Sequence, residues 1–275
     1  MVGKLFICAT PIGNLGDITL RVVETLGQVD IVVAEDPRRT RKLLTHLDIK
    51  KKVISFHDHN EAQILPKLMS ELRLGRKIAQ VSDAGMPGIA DPGHRLIKAC
   101  IEDGIPFEVL PGPCAFLNGA VLSGLPTDDI RFLGYFPRKS GARKRLLKEV
   151  EESPSTLVFY ESPRRLKQTL VDIGDVLNDR QVFVGRELTK KFEEHLRGPA
   201  KQLLEDLGDR TIKGELVVAI AGLREKNDSF EHEQIVAEIE KEMENGQSKS
   251  EAVKIVADRY SLPRRLVYEA AHAPE

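Results

Sequence analysis

The chain has 275 residues, 41% hydrophobic and 30% charged, with a formal net charge of −1. That length leaves room for more than one core. A net charge near zero excludes a chain coated in positive charge, so nucleic-acid contacts must come from local patches. The cysteines Cys8, Cys100 and Cys114 are scattered and form no C-x-x-C pair, so they read as buried or site-lining thiols of a reducing cytoplasm. No secretory leader pattern is evident, and no run approaches the ~20 apolar residues of a membrane span.

In chain order, short apolar runs predict strands at Lys4–Ala9, Asp30–Ala34, Lys52–Phe56, Lys77–Val81 and Phe107–Leu110. Helical patterns at Leu20–Leu26 and Gln63–Leu74 separate some of them, the alternation of a mostly parallel α/β sheet. Ile31-Val32-Val33 is apolar on both faces, as in a strand covered by helices on each side. Past Pro111–Asn118 the texture changes. Strands are predicted at Arg131–Tyr135, Thr156–Tyr160, Gln181–Val184 and Glu215–Ile220, and helices at Gly141–Glu152 and Pro163–Leu177. Ser162 is the expected N-cap of the latter, with Pro163 at its first position.

After a polar stretch, Ile235, Ile239 and Met243 recur every fourth residue on one helix face. Ser248–Glu251 reads as a capping box, and Pro263 opens a third helix. The expected organisation is two α/β domains, 1–113 and 114–224, and a helix-turn-helix-like unit, 225–275.

Three loops follow strands. In "ATPIGNLGDIT", Pro11 and Gly13 make a tight turn in which the proline withholds an N–H that a phosphate would want. The loop suits either a ligand without phosphates or a structural turn. "VSDAGMPGIADPG" (Val81–Gly93) is dense in glycine, proline and aspartate, which costs chain entropy and buries nothing. At the C-terminal end of a parallel strand it would line a ligand crevice. "VLPGPCAFLNGA" is either a flat-ligand edge or a domain hinge. His57, Asp58, His59 and Glu61 cluster in "SFHDHNE", where metal binding and a place on the substrate rim both stand as readings.

These loops, with "AEDPRRTRKLL", "FLGYFPRK", "FYESPRRL", "GRELTKKFEE" and "KGELVV", resemble in their order the tetrapyrrole methylase superfamily, the class III S-adenosylmethionine methyltransferases. Within it the chain is similar to the branch that 2′-O-methylates a cytidine ribose in the decoding region of small-subunit (16S) ribosomal RNA. The resemblance covers essentially the whole chain. It departs at Met86 and Cys114, where the family more often has threonine and serine.

The resemblance implies an S-adenosylmethionine cleft between two α/β domains, a small-subunit RNA or 30S substrate, a homodimer, a cytoplasmic location and no metal. By analogy the cofactor touches Pro11, Ile12, Asp83, Ala84, Gly85, Met86, Ile89, Cys114, Ala115, Leu188, Gly214 and Glu215. The base that takes the hydroxyl proton is sought among Asp36, Glu161 and Glu187, with Lys190 orienting a phosphate or the ribose. Asp36 stands where related enzymes also carry an aspartate, although anchoring Arg38 or Arg39 would explain it equally. Arg38, Arg39, Arg41, Arg138, Lys139, Arg143, Arg164, Arg165, Arg264 and Arg265 recur at loops and helix starts as an RNA-facing rim, each group alone being also readable as a solvated face. The alternatives are a tetrapyrrole C-methyltransferase and a non-catalytic ribosome- or RNA-binding regulator.

Overall fold

The computed structural model describes residues 2–90, 93–223, 232–260, 262 and 264–272. They belong to two compact units, Met1–Leu223 and Arg224–Glu275, so both sheets below share one unit.

The first sheet is wholly parallel: β1 (Lys4–Cys8), β2 (Ile31–Ala34), β3 (Lys52–Ser55), β4 (Lys77–Val81) and β5 (Phe107–Leu110), in the order β3-β2-β4-β1-β5. Its helices are α1 (Leu20–Gln28), α2 (Pro37–His46), α3 (Glu61–Arg73) and α4 (His94–Glu102). Side chains alternate across the sheet. Ile31 and Val33 enter the core with Leu68, Leu72 and Leu96, while Val32 and Ala34 enter the core with Val22, Leu26 and Leu44. That double burial is why β2 is apolar throughout.

α5 (Ala115–Ser123) leads to the second sheet: β6 (Ile130–Tyr135), β7 (Thr156–Glu161), β8 (Gln181–Arg186), β9 (Glu194–Pro199) and β10 (Leu216–Ile220). The order is β6-β7-β10-β8-β9, with β6 and β7 parallel and the other pairs antiparallel. α6 (Ser140–Glu149), α7 (Leu166–Leu177) and α8 (Ala200–Leu207) cover one face, where Leu147, Leu170 and Leu203 meet Leu157, Phe159 and Val218. α5 covers the other, with Ala120 against Val158, Phe183 and Val217.

Two expectations need correction here. β9, "EHLRGP", has no apolar run to announce it; it is the edge strand beside β8. The helix expected from Pro163 begins at Leu166, with Arg165 as its cap. Ser162–Arg165 forms a turn instead, because the Glu161 carboxylate accepts from both the Ser162 amide and the Arg165 guanidinium.

The C-terminal unit is trihelical: α9 (His232–Glu244), α10 (Lys249–Arg259) and α11 (Arg264–Ala271). The Ser248/Glu251 capping box forms, and Ile235, Ile239, Val256 and Val267 share a core. Met243, in the last turn of α9, lies outside that core and is 42% exposed. Pro263 and the Arg265 side chain lie outside the described residues.

Candidate active site

The cleft is assembled by loops at the C-terminal ends of the parallel strands. Thr10 and Gly85 exchange both backbone hydrogen bonds at 2.9 Å, joining the loops after β1 and β4. The Ser82 hydroxyl donates to the Gly85 carbonyl at 2.9 Å. Gly85 has φ +85°, and a Cβ there would lie 3.3 Å from Ile12 Cγ2. At Gly13 a Cβ would fall 2.4 Å from Lys190 Cγ, so a residue without a side chain lets this turn close on the loop after β8. The Asn14 amide donates to Thr189 Oγ1 at 3.1 Å in the same contact.

The cleft has a volume of about 790 Å³, within the range of small-molecule sites. Ile12, Asp83, Ala84, Gly85, Met86, Ile89, Cys114, Ala115, Leu188, Gly214 and Glu215 line it. Pro11 does not. The lining also includes Glu35, Tyr135, Phe136, Tyr160, Ser162, Pro163, Leu216 and Val217, which sequence reasoning missed. Burial pushes the Cys114 thiol up. The 11–14 and 83–89 loops carry no lysine or arginine, and Glu35, Asp83 and Glu215 put carboxylates around the cavity. This donor set fits a cationic nucleoside with hydroxyl and ammonium groups and no phosphate.

The expected bases are largely occupied. Asp36 caps α2 by accepting from the Arg38 amide at 2.9 Å and pairs with the Arg38 guanidinium at 2.8 Å. The hydrogen bonds from Arg38 hold its carboxyl down to about 2, and it is not part of the cleft lining. A carboxylate that weakly basic is a poor proton acceptor.

Glu161 lines the cleft with a buried side chain. Oε1 accepts from Arg165 Nε at 2.8 Å and from the Ser162 amide, and Oε2 accepts from the Thr169 hydroxyl at 2.6 Å. Glu187 Oε1 accepts from Lys190 Nζ at 2.8 Å and from the Glu215 amide at 2.9 Å. Burial pushes the Glu187 carboxyl up, but the hydrogen bonds from Lys190 and the Glu215 amide outweigh it, leaving it below the ordinary value. Lys190 also donates to Glu215 at 2.9 Å. Burial pushes its ammonium down, and the two carboxylates more than restore it, so it stays charged. Neither Glu187 nor Lys190 is part of the lining; they brace the loop that bears Leu188.

Glu35 differs. It lines the cleft at the end of β2 and makes no hydrogen bond or ion pair among the described residues. Burial, then the neighbouring Asp83 and Asp58 carboxylates, raise its carboxyl; Arg39 and His57 oppose them. Asp83 is engaged by the Asp36 amide at 3.0 Å and by Arg39 Nε at 3.5 Å.

The basic residues divide as well. Arg39, Arg138, Arg164 and Arg165 line the cleft. Arg138 and Arg164 are exposed and make no ion pair among the described residues, whereas Arg165 is tied to Glu161. Arg38, Arg41 and Lys139 are exposed outside the lining. Arg264 is exposed on α11, 4.0 Å from Asp258.

Arg143 is corrected: it is 2% exposed and cannot face RNA. Its guanidinium pairs with buried Asp172 at 2.6 Å and donates to the carbonyls of Pro137 and Arg138 at 3.2 and 2.8 Å. It ties the loop after β6 to α7.

His57 and His59 follow β3 in a turn, their rings edge-on at 5.9 Å, and His57 Nδ1 is buried without a hydrogen-bond partner. Among the described residues no group of three or more His, Cys, Asp or Glu side chains is placed to hold a metal ion. Nor is any described helix long and apolar enough to cross a membrane.

Residues 4–204 match the family Tetrapyrrole (Corrin/Porphyrin) Methylases. Similar chains include a protein of Halalkalibacterium halodurans named ribosomal RNA small subunit methyltransferase I, 42% identical over 98% of this chain and 95% of its own length. A Thermotoga maritima protein of the same name is 42% identical over 80% of this chain and 99% of its own. Among solved structures, a diphthine synthase superposes with a TM-score of 0.61 at 11% identity, covering 80% of this chain and 90% of that one, a likeness of fold alone. The chain belongs to the tetrapyrrole methylase family. It is an enzyme, a methyltransferase whose methyl donor is S-adenosylmethionine.

Proposed function

We propose that this enzyme methylates small-subunit ribosomal RNA, at the 2′-oxygen of a cytidine ribose in the decoding region, and that it acts in the cytoplasm on the 30S subunit. The observation that carries the reading is the similarity, over 98% of this chain, to a relative named for that RNA. The cleft agrees with it: loops suited to a phosphate-free cofactor open beside exposed arginines suited to a phosphate backbone.

When bound, S-adenosylmethionine supplies a methyl group already activated on a positively charged sulfur. The residues proposed to hold it are Ile12, the Asp83–Ile89 loop, Cys114-Ala115, Leu188 and Gly214-Glu215. The chain's work is then to align the ribose, exclude water and receive one proton. Glu35 is assigned that proton, because the other cleft carboxylates already serve internal donors and because its raised carboxyl is a stronger base. With the cofactor held there, Glu35 would accept the ribose hydroxyl proton as that oxygen takes the methyl group, and would pass the proton on to water.

The RNA rim is proposed to comprise Arg38, Arg39, Arg41, Arg138, Lys139 and Arg164. Arg165 acts through Glu161, and Arg264 and Arg265 belong to a separate capture unit, 224–275. A homodimer is also proposed. Phe136 is buried within its own unit, while Leu117 and Val121 of α5 are exposed.

The test is labelled methyl transfer to purified small subunits from a strain lacking the enzyme, with the product nucleoside mapped. Label at a 2′-O-methylcytidine is expected; label on a base, or none, refutes the reading. Light scattering that gives a monomer mass at every concentration removes the dimer.

A further inference from the structure

β6 and β7 run in parallel register at Phe132 opposite Val158, but two residues later on β7 the partner of Tyr160 is Tyr135. β6 therefore holds one extra residue between these pairs, and Gly134 within it has φ +67°. In a regular strand, residues three apart point to opposite faces. The bulge cancels that alternation. Phe132 and Tyr135 both meet the Tyr160 ring, at centroid distances of 5.2 and 5.4 Å, while Phe136 turns to the other side and stacks on Phe159 at 4.1 Å. The row continues inward, since Phe116 stacks on Phe132 at 4.4 Å.

The outermost ring of this row is out of place by burial alone. Tyr135 is 66% exposed, though it lines the cleft. The bulge interrupts the strand ladder and gains little apolar burial for that ring. The same lining includes Arg138 and Arg164, both without an ion pair among the described residues. A flat aromatic face held edge-on by a second tyrosine, in a cleft that also presents unneutralised guanidinium groups, matches an unstacked nucleobase with its phosphates. The cofactor carries no phosphate, so the arginines distinguish the RNA nucleotide from the cofactor's adenine.

We propose that Tyr135 is the platform on which the target nucleobase stacks once it leaves the RNA helix or loop, with Arg138 and Arg164 holding the flanking phosphates. An enzyme acting on a single nucleotide of a structured RNA must draw that nucleotide out to bring its ribose to the methyl donor. A stacking face at the cleft mouth offsets the lost stacking and fixes which side of the ribose faces inward. This inference rests on the proposed RNA substrate and adds how that substrate is held.

The experiment compares wild type, Tyr135→Ala, Tyr135→Phe and Arg164→Ala in three measurements: calorimetric affinity for S-adenosylmethionine, light scattering, and methyl transfer to small subunits at several salt concentrations. Expected for Tyr135→Ala are unchanged cofactor affinity, unchanged mass, and kcat/KM lower by about tenfold or more, the scale of removing one base stack. Its salt slope should equal that of wild type, because stacking releases no counterions. Arg164→Ala should flatten the slope by about one unit, and Tyr135→Phe should keep most of the activity.

Wild-type kcat/KM in Tyr135→Ala overturns the proposal alone. An equal loss of cofactor affinity overturns it by assigning the ring to the cofactor. A change of assembly mass assigns the ring to a subunit interface, and also overturns it. A wild type inert on small subunits removes the proposed function and this inference with it.

Discussion

The two walls of the cleft are built from different materials. The parallel sheet contributes turns whose backbone does the work: Thr10 and Gly85 bonded to each other, Ser82 closing on Gly85, and the apolar Ile12 and Ile89. The mixed sheet contributes long side chains set by other side chains, Arg165 on Glu161 and Tyr135 on Tyr160, while the buried Arg143–Asp172 pair braces the loop after β6 from outside the lining. Close backbone approach suits a small, invariant ligand. Side chains on a braced frame suit a large, charged one. The proposed cofactor contacts lean on the backbone-built wall and take Leu188, Gly214 and Glu215 from the mixed sheet, while the proposed RNA rim takes Arg138 and Arg164 from the mixed sheet and Arg38, Arg39 and Arg41 from α2, so substitutions must be compared residue by residue to separate the two.

Glu35→Gln should have the largest effect. It keeps shape and removes the proton acceptor, so methyl transfer should fall by about 10²- to 10⁴-fold with S-adenosylmethionine affinity intact. In wild type the rate should rise with pH through a midpoint above the ordinary glutamate value, because burial and the Asp83 and Asp58 carboxylates raise Glu35. That limb should vanish in the variant. The sign for stability is opposite. A carboxyl raised in the folded state favours folding below its unfolded pKa and loses that contribution as pH rises through the folded value. At neutral pH Glu35→Gln should therefore melt no lower than wild type. A single-turnover pH profile and a melting curve check both.

Asp172→Ala tests the mixed wall's frame. It leaves Arg143 buried and unpaired, which should cost about 3–5 kcal/mol in denaturant unfolding. A loss below about 1 kcal/mol would mean that water reaches the guanidinium and that the frame is softer than its burial implies.

Ala115→Trp tests the other end of the cleft, where α5 begins. Filling this site should weaken S-adenosylmethionine binding by about tenfold to a hundredfold, the scale of an overpacked site. Calorimetry with unchanged affinity would move the cofactor elsewhere.

The smallest effect on chemistry is expected from ending the chain at Leu223. The Thermotoga maritima relative aligns over 99% of its own length yet leaves about a fifth of this chain unmatched, the share that residues 224–275 make up. Cofactor affinity should not change, while affinity for small subunits should drop and its salt slope should flatten by about one unit for each phosphate no longer held. Equal affinity and slope would remove the capture role.

Local features were readable from the amino-acid order because short-range physics decides them. The run Ile31–Val33 implied a strand covered on both faces and the Ser248–Glu251 spacing implied a capping box, while the proline of the first loop left a phosphate-free ligand and a structural turn both open. The loops after β1, β4 and β5 were likewise legible, since glycine and proline mark the turns in which a backbone is exposed to a ligand, whereas Leu188, Gly214 and Glu215 were implied by the family resemblance alone.

Tertiary structure decided what each charge does. Asp36 ranked first by family resemblance among the carboxylates near strand ends, ahead of Glu161 and Glu187, but the partners Arg38, Arg165 and Lys190 consume all three and Glu35 is left. Arg143 belonged by composition to a basic surface, yet an aspartate 29 residues later draws it inside. The β6 bulge that turns Tyr135 toward the cleft exists only in register with β7. A residue's chemistry is local, but its protonation, exposure and direction depend on groups that the fold brings from far along the chain.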